Sequence, residues 1–432
     1  MKLRALKASV FLSVLFLVVY HACNWITSRR ADVGIIYFEW ERIIPFVPFF
    51  ILPYMSVDLF FVAAPFLCDD EAELRALGRR IALAILVAGA CFLLFPLQLA
   101  VDRPQPAGWL GVIFRRFCEI DRPHNLLPSL HITLCCILAV HYRRHLFGVW
   151  RTASDFWFAL IALSALLTYQ HHFIDVVGGF GLAALCFYFV RETRAPSALT
   201  PNPRLGWFYA LGAAGLLVAG VCLRPWGLIL LWPAFATAMI AAAYFGVGPG
   251  VYRKENGRLP WSARILLAPC LIGQWISLWY YQRQCRPWDE VAPGVLIGRR
   301  LDDREAAAAV RDGVTAVLDL TAEFSEVTPF RLSAYRNLPI LDLTAPTLAQ
   351  LQEAVAFIDS QVAGGKVYVH CKIGYSRSAA VVAAWLLASG AVANADEAMA
   401  KLRAVRPSIV IRPEAEAALR TFDVGHARLP AG

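Results

Sequence analysis

Nine stretches of the chain are apolar over lengths near that of a bilayer crossing: 8–27, 43–67, 81–100, 129–142, 154–170, 174–190, 206–223, 226–247 and 263–282. A helix needs about 20 mostly apolar residues to cross a hydrocarbon core of roughly 30 Å. In lipid, only helices and closed barrels satisfy their own backbone polar groups. Such runs, in a chain 58% hydrophobic and 17% charged, predict a multi-pass α-helical membrane domain and exclude a wholly soluble protein. Pro45, Pro48 and Pro53 break or kink the second run. The fourth and sixth are short or open on polar residues, as spans bordering a site do.

Charge sets the expected topology. Up to residue 285 there are 25 Lys and Arg against 15 Asp and Glu; beyond it the count is 16 against 17. The basic excess lies between apolar runs, where it orients spans, so nucleic-acid binding is a poor reading of it. Lys2, Arg4 and Lys7 place the N-terminus on the cytoplasmic side. With them go the loops carrying Arg75, Arg79 and Arg80, then Arg143, Arg144 and Arg151, then Arg191, Arg194 and Arg204, then Arg253, Lys254 and Arg258. The run Val10 to Tyr20 is long for a signal-peptide core and lacks a small-x-small cleavage site, so it reads as an uncleaved first span. Eight crossings keep the C-terminus inside and nine put it outside. The last run, with Pro269, Gln274, Trp275, Trp279 and Tyr280, suits the interface as well as a crossing.

Beyond Pro287 the pattern becomes that of a soluble α/β domain. Leu296-Ile297, Val314–Leu320, Leu338–Leu341 and Val367–Val369 read as strands. Asp303–Arg311, Leu348–Val362, Arg377–Ser389, Ala395–Val405 and Pro413–Phe422 read as amphipathic helices. Three segments follow: 1–194 membrane helical, 195–285 further transmembrane or interfacial helices, and 286–432 an α/β domain large enough to bury its own core.

The chemistry concentrates at Val367-Tyr-Val-His-Cys-Lys-Ile-Gly-Tyr-Ser-Arg-Ser378. A short strand, a tight loop and a helix start aim backbone N–H groups at one point and make an anion site. Cys371 opens the loop where the helix dipole and Arg377 favour thiolate, and Gly374 allows close backbone approach. A thiolate facing a phosphate cradle implies a phosphocysteine intermediate. The other cysteines read as buried thiols, with no disulfide or zinc spacing.

His370-Cys371-x5-Arg377-Ser378 resembles the signature loop of the protein tyrosine phosphatase superfamily, in its dual-specificity branch. That resemblance implies that Cys371 attacks phosphorus and that Arg377 holds the equatorial oxygens. Ser378 would stabilise the departing thiolate. Asp342, 29 residues before Cys371, would protonate the leaving oxygen and then activate water. Lys372 adds a second cation, and His-Cys-Lys-x-Gly is similar to the loops of members that act on phosphoinositides and phosphatidylglycerophosphate. A surplus positive charge suits a polyanionic head group.

Three further segments sit at span ends: Arg103-Pro104, Asn125-Leu-Leu-Pro-Ser-Leu-His131, and Gln170-His-His-Phe-Ile-Asp175 followed by Gly178-Gly179. They resemble the type 2 phosphatidic acid phosphatase superfamily, nearest its inositol phosphorylceramide synthase branch. The resemblance implies that His171, oriented by Asp175, forms a phosphohistidine while His131 protonates the leaving group. Arg103 and Ser129 would bind the phosphate. An isolated His with an Asp four residues later is also a common helix-end pair; the two companion motifs and the membrane setting favour function. The pattern departs at Pro96, Ala165 and Tyr169, where that superfamily carries cations; Arg115, Arg116 or Arg122 would have to substitute. His124 and His172 read as bystanders.

The whole resembles bacterial membrane proteins that fuse these two phosphatase types. It implies an inner-membrane protein acting on phospholipid head-group phosphates without metal or cofactor. A reducing cytoplasm suits the catalytic thiolate and places the C-terminal domain there. Two other functions stay open at this level: head-group phosphotransfer coupled to a product phosphatase, and phosphoprotein dephosphorylation in signalling. Nothing in the sequence speaks to oligomeric state.

Overall fold

The computed structural model of the protein describes residues 1–121, 123–191, 201–223 and 226–426; Arg122 and Arg194 lie outside the described residues. The chain divides into two compact units, Met1–Arg194 and Ala195–Gly432.

The first unit is helical: α1 (Lys2–Thr27), α2 (Ile51–Ala63), α3 (Glu71–Leu94), α4 (Gly108–Ile120), α5 (Leu130–His145), α6 (Gly148–Leu167) and α7 (Phe173–Phe189). The starts of α3 and α5 are capped by short polar side chains, which satisfy orphan amides. The Asp70 carboxylate accepts from Glu73 N at 2.8 Å, and Ser129 Oγ accepts from Ile132 N at 3.2 Å. A core of Ile81, Ala84, Ile85, Ala88 and Phe92 from α3 meets Leu134, Ile137 and Leu138 from α5 and Leu182 and Cys186 from α7. Ala84, Ala88 and Gly89 on α3 allow close helix approach, and a side chain at Gly89 would collide with Val19 of α1.

The second unit begins with α8 (Pro203–Cys222), α9 (Leu231–Ala242), α10 (Trp261–Leu266) and α11 (Ala268–Tyr281). It continues with β1 (Trp288–Ala292), β2 (Val295–Gly298), α12 (Asp303–Arg311), β3 (Val314–Thr321), α13 (Thr328–Arg331), β4 (Ala334–Ile340), α14 (Leu348–Val362), β5 (Lys366–His370), α15 (Arg377–Ala388), α16 (Ala395–Val405) and α17 (Pro413–His426). The sheet order is β1-β2-β5-β3-β4. Only β1 runs antiparallel, against β2; the other pairs are parallel. The central strands β3 and β5 are buried on both faces, which explains their continuous apolar runs. Val381 to Leu386 of α15 are buried throughout and form the middle of the core.

The helices differ in length from the nine apolar runs. Among the described residues, five helical segments are long and apolar enough to cross a membrane: Lys2–Thr27, Pro48–Leu67, Glu71–Leu94, Pro203–Cys222 and Gly227–Tyr252. α5 and α7 have 16 and 17 residues, or about 24–26 Å at 1.5 Å per residue, short of a straight crossing. α6 is long enough, but Arg151 and Asp155 stand in its first half. The run 263–282 is broken at Leu267, and the 14 residues of α11 reach only about 21 Å.

Candidate active site

In a parallel sheet the carboxyl ends of the strands share one edge, and ligands bind there. β2, β5, β3 and β4 end on Gly298, His370, Thr321 and Ile340. The residues that follow, Arg299, Cys371, Glu323 and Asp342, meet at that edge. The chain must turn sharply after β5 to start α15. Gly374 makes the turn at φ +79°, and a Cβ there would lie 2.5 Å from Gly298 O, so only glycine fits.

The turn wraps Cys371, whose residue is 4% exposed. Its Sγ accepts from Gly374 N at 3.3 Å and lies 3.4 Å from Ser378 Oγ. Burial works against ionisation, but the Arg377 charge and the Ser378 and Gly374 hydrogen bonds outweigh it, and the thiol sits below its ordinary value. Its thiolate is therefore present at pH values where an ordinary thiol is protonated. Ser378→Ala removes one of these contacts. The midpoint of Cys371 alkylation by iodoacetamide is expected to move to higher pH, by about half a unit to one unit. An unmoved midpoint would exclude Ser378 from thiolate stabilisation.

Arg377 is held by a fork that the sequence did not reveal. Its Nη2 donates to Glu323 Oε1 at 2.8 Å and its Nη1 to Glu323 Oε2 at 3.2 Å and Ile340 O at 2.8 Å. Glu323 is buried just past β3, so the guanidinium plane is fixed before any phosphate arrives. Asp342 joins from the end of β4: Oδ1 accepts from Arg377 Nη2 at 3.2 Å, and Oδ2 from Lys372 Nζ at 2.5 Å. Burial opposes its charge, but Arg377 and Lys372 hold the carboxyl below the usual carboxylate range. Lys372, expected to reach for substrate, is instead shared between Asp342 and Gln274 Oε1, at 2.9 Å from the latter.

A second buried network stands behind the cradle. His370 Nε2 lies 3.1 Å from Glu326 Oε2; burial lowers the imidazole's affinity for a proton, yet Glu326 and Asp319 raise it above the ordinary value. Asp319, 3.9 Å from His370 Nε2, is paired with Lys254 Nζ at 2.5 Å. Arg406 Nη2 donates to Ile373 O at 3.3 Å and Nη1 to Asp289 at 2.6 Å, so it braces the signature loop from α16. Among the described residues, two His–carboxylate groupings are close enough to share an ion, Glu73–His141–His145 and Asp319–Glu326–His370. Each already has a cation beside it, Arg144 at 3.6 Å from Glu73 and Lys254 at Asp319.

The first unit gathers its own polar residues. His171 Nδ1 lies 3.7 Å from Asp175 Oδ2, beyond a hydrogen bond, and that oxygen accepts from His172 N at 2.8 Å. His131 stacks on Tyr54 with centroids 3.9 Å apart. Arg103 donates to Asp121 O at 2.6 Å and lies 3.4 Å from its carboxylate, which also takes the Tyr20 hydroxyl. Ser129 Oγ is committed to the α5 cap. His172 carries structure, with Nδ1 3.0 Å from Glu41 Oε2 and Nε2 accepting from Ala100 N at 3.0 Å.

A buried thiolate in an amide cradle, with a forked arginine and an adjacent carboxyl, defines a cysteine-dependent phosphatase site. Residues 303–424 match the family model of the dual specificity phosphatase catalytic domain. The phosphatidylglycerophosphate phosphatase PTPMT2 of Arabidopsis thaliana is 30% identical over 166 residues, which cover 37% of this chain and 72% of the relative. The Mus musculus phosphatidylglycerophosphatase and protein-tyrosine phosphatase 1 is 44% identical over 90 residues, 20% of this chain and 45% of its own length. The crystal structure of PTPMT1 in complex with PI(5)P is 28% identical, with a TM-score of 0.31, and covers 33% of this chain and 97% of that one. The chain belongs to the dual specificity phosphatase family. It is a phosphoric monoester hydrolase, related to the phosphatases of phosphatidylglycerophosphate.

Proposed function

We propose that the protein is an integral membrane phosphatase that removes the terminal phosphate of phospholipid head groups, with phosphatidylglycerophosphate or inositol-phosphate lipids as substrate class. The observation that carries this reading is the Cys371 cradle sharing one compact unit with the apolar helices α8 and α9. The activities for which the plant and mouse relatives are named support the choice of lipid.

Cys371 Sγ attacks phosphorus and forms the S–P bond as the P–O bond to the lipid breaks. Asp342 gives its proton to that oxygen, then takes one from water, which attacks phosphorus and expels the thiolate. Arg377, the loop amides and Ser378 stabilise charge along this path. Entry of the phosphate gives Arg377 a competing anion and frees Asp342 to hold a proton.

The cluster in the first unit forms a second lipid-phosphate site in this proposal, with His171 as nucleophile, His131 as acid, and Asp175, Arg103 and Ser129 in support. Among the described residues His131 Nε2, His171 Nδ1 and Arg103 Nε are buried without a hydrogen-bond partner. Unpaired buried nitrogens are costly, and a bound phosphate would satisfy them. The N-terminus and the catalytic domain face the cytoplasm of a bacterial inner membrane in this reading.

The test is phosphate release from phosphatidylglycerophosphate in mixed micelles by the full chain. Cys371→Ser is expected to abolish release, and His171→Ala to remove a separate activity on phosphatidic acid. Undiminished activity in Cys371→Ser would overturn the assignment. Head-group transfer between labelled vesicles would mark the first unit as a transferase. Activity on phosphotyrosine peptide with none on lipid would mark a signalling phosphatase.

A further inference from the structure

The loop that carries Asp342 is tied by its backbone to the apolar hairpin. Tyr244 Oη donates to Asp342 O at 2.8 Å. Asn202 Nδ2 donates to Leu343 O at 3.3 Å, and Asn202 N to Tyr244 O at 3.1 Å. Asn202 is the cap of α8, accepting from Leu205 N, and Tyr244 stands just past the last residue of α9. Both ties therefore come from the same end of the α8–α9 hairpin.

This end is built to be stiff. Residues Ala243–Val247 form a π turn, an irregularity that re-aims side chains and recurs at functional sites. It turns the Tyr244 ring onto Tyr209 of α8, with centroids 5.6 Å apart and planes 12° apart. The Phe245 ring fills the space at Gly206, where a Cβ would lie 2.7 Å from it. Tyr244 is buried. On the loop side, Leu343 holds φ +60°, a left-handed backbone that a leucine adopts only when its surroundings impose it.

We propose that Tyr244 and Asn202 are positioning residues for Asp342, so that the apolar hairpin as well as the α/β domain completes the cysteine site. The inference rests on Asp342 as the general acid. The two bonds hold the peptides at 342 and 343 while leaving the carboxyl group free to exchange Arg377 and Lys372 for the leaving oxygen. The geometry of the loop thus depends on a hairpin whose two helical segments, Pro203–Cys222 and Gly227–Tyr252, are of membrane-spanning length.

The experiment compares kcat/KM of the full chain in detergent for 4-nitrophenyl phosphate, whose leaving group needs no proton, with phenyl phosphate, whose leaving group does. Asp342→Asn sets the scale and is expected to raise the nitrophenyl-to-phenyl ratio by about a hundredfold. Tyr244→Phe, which removes one hydroxyl and keeps the ring, is expected to raise it by about tenfold through kcat rather than KM, with a weakened basic limb of the pH profile. Asn202→Asp keeps the α8 cap, loses the donor to Leu343, and is expected to move the ratio the same way. It carries the test if Tyr244→Phe does not fold. A ratio within about twofold of the parent in the folded variants, while Asp342→Asn shifts it, overturns the proposal. If Asp342→Asn leaves the ratio in place, the acid assignment itself fails.

Discussion

Arg377→Lys is expected to lower kcat/KM for phosphate release by about a thousandfold, roughly 4 kcal/mol of transition-state stabilisation. The substitution keeps one positive charge, so a simple charge argument predicts little change. The geometry predicts otherwise. The guanidinium holds Glu323 with its planar fork and, on the proposed mechanism, also faces the phosphate that Cys371 attacks. A lysine offers a single point of charge and leaves part of the buried Glu323 carboxylate unpaired. The measurement is steady-state phosphate release by the full chain, with thermal unfolding to show that the variant folds. A loss under about tenfold would mean that charge, not the fork, does the stabilising.

Lys254→Met is expected to cost about 3–5 kcal/mol of stability. The side chains of Lys254 and Asp319 are 2% and 0% exposed, and Nζ also donates to Thr321 O at 2.9 Å and Thr321 Oγ1 at 3.1 Å. Removing the lysine strands a buried carboxylate. Burial alone would raise its pKa, but Lys254 and His370 pull it far below the usual range. A depressed carboxyl stabilises the fold above its unfolded pKa, about 3.9, and loses that contribution as pH falls through the folded value. The parent therefore keeps the full contribution at neutral pH, and the variant loses most of it there. Chemical denaturation of the double variant Lys254→Met with Asp319→Asn is expected to recover much of the loss, since no buried charge is left unpaired. No recovery would place the cost in packing around the lysine stem instead.

The elements of the α/β domain were legible wherever local pattern decides. Helices α12, α14 and α16 begin and end where periodicity and glycine punctuation put them, and β3 and β5 announce themselves by continuous apolar runs. The polar edge strand β1 was not read, and β4 starts at Ala334, before its apolar end at Leu338. Edge strands bury only part of their residues, so an apolar run shows only that part. The nucleophile and its arginine were legible because one loop holds them. Glu323, Lys254, Tyr244 and Asn202 were not, since each reaches the site from a separate element and only tertiary contact reveals it. Apolar length alone marked nine runs, where five helical segments among the described residues are long and apolar enough to cross, because it did not register the break at Leu267 or the charges of α6.

The fork on Arg377 sets which charged groups line the site. Two cations, Arg377 and Lys372, stand among three acidic groups: Glu323, Asp342 and the Cys371 thiol. A phosphate dianion entering there meets these acidic groups as well as the two cations. On the proposed assignment the phosphate takes Asp342's place beside Arg377, and Asp342 takes up a proton as the ester binds. The reaction is then zero-order in free acid at the chemical step, because the hydrogen ion that leaves with the alcohol was taken up when the ester bound.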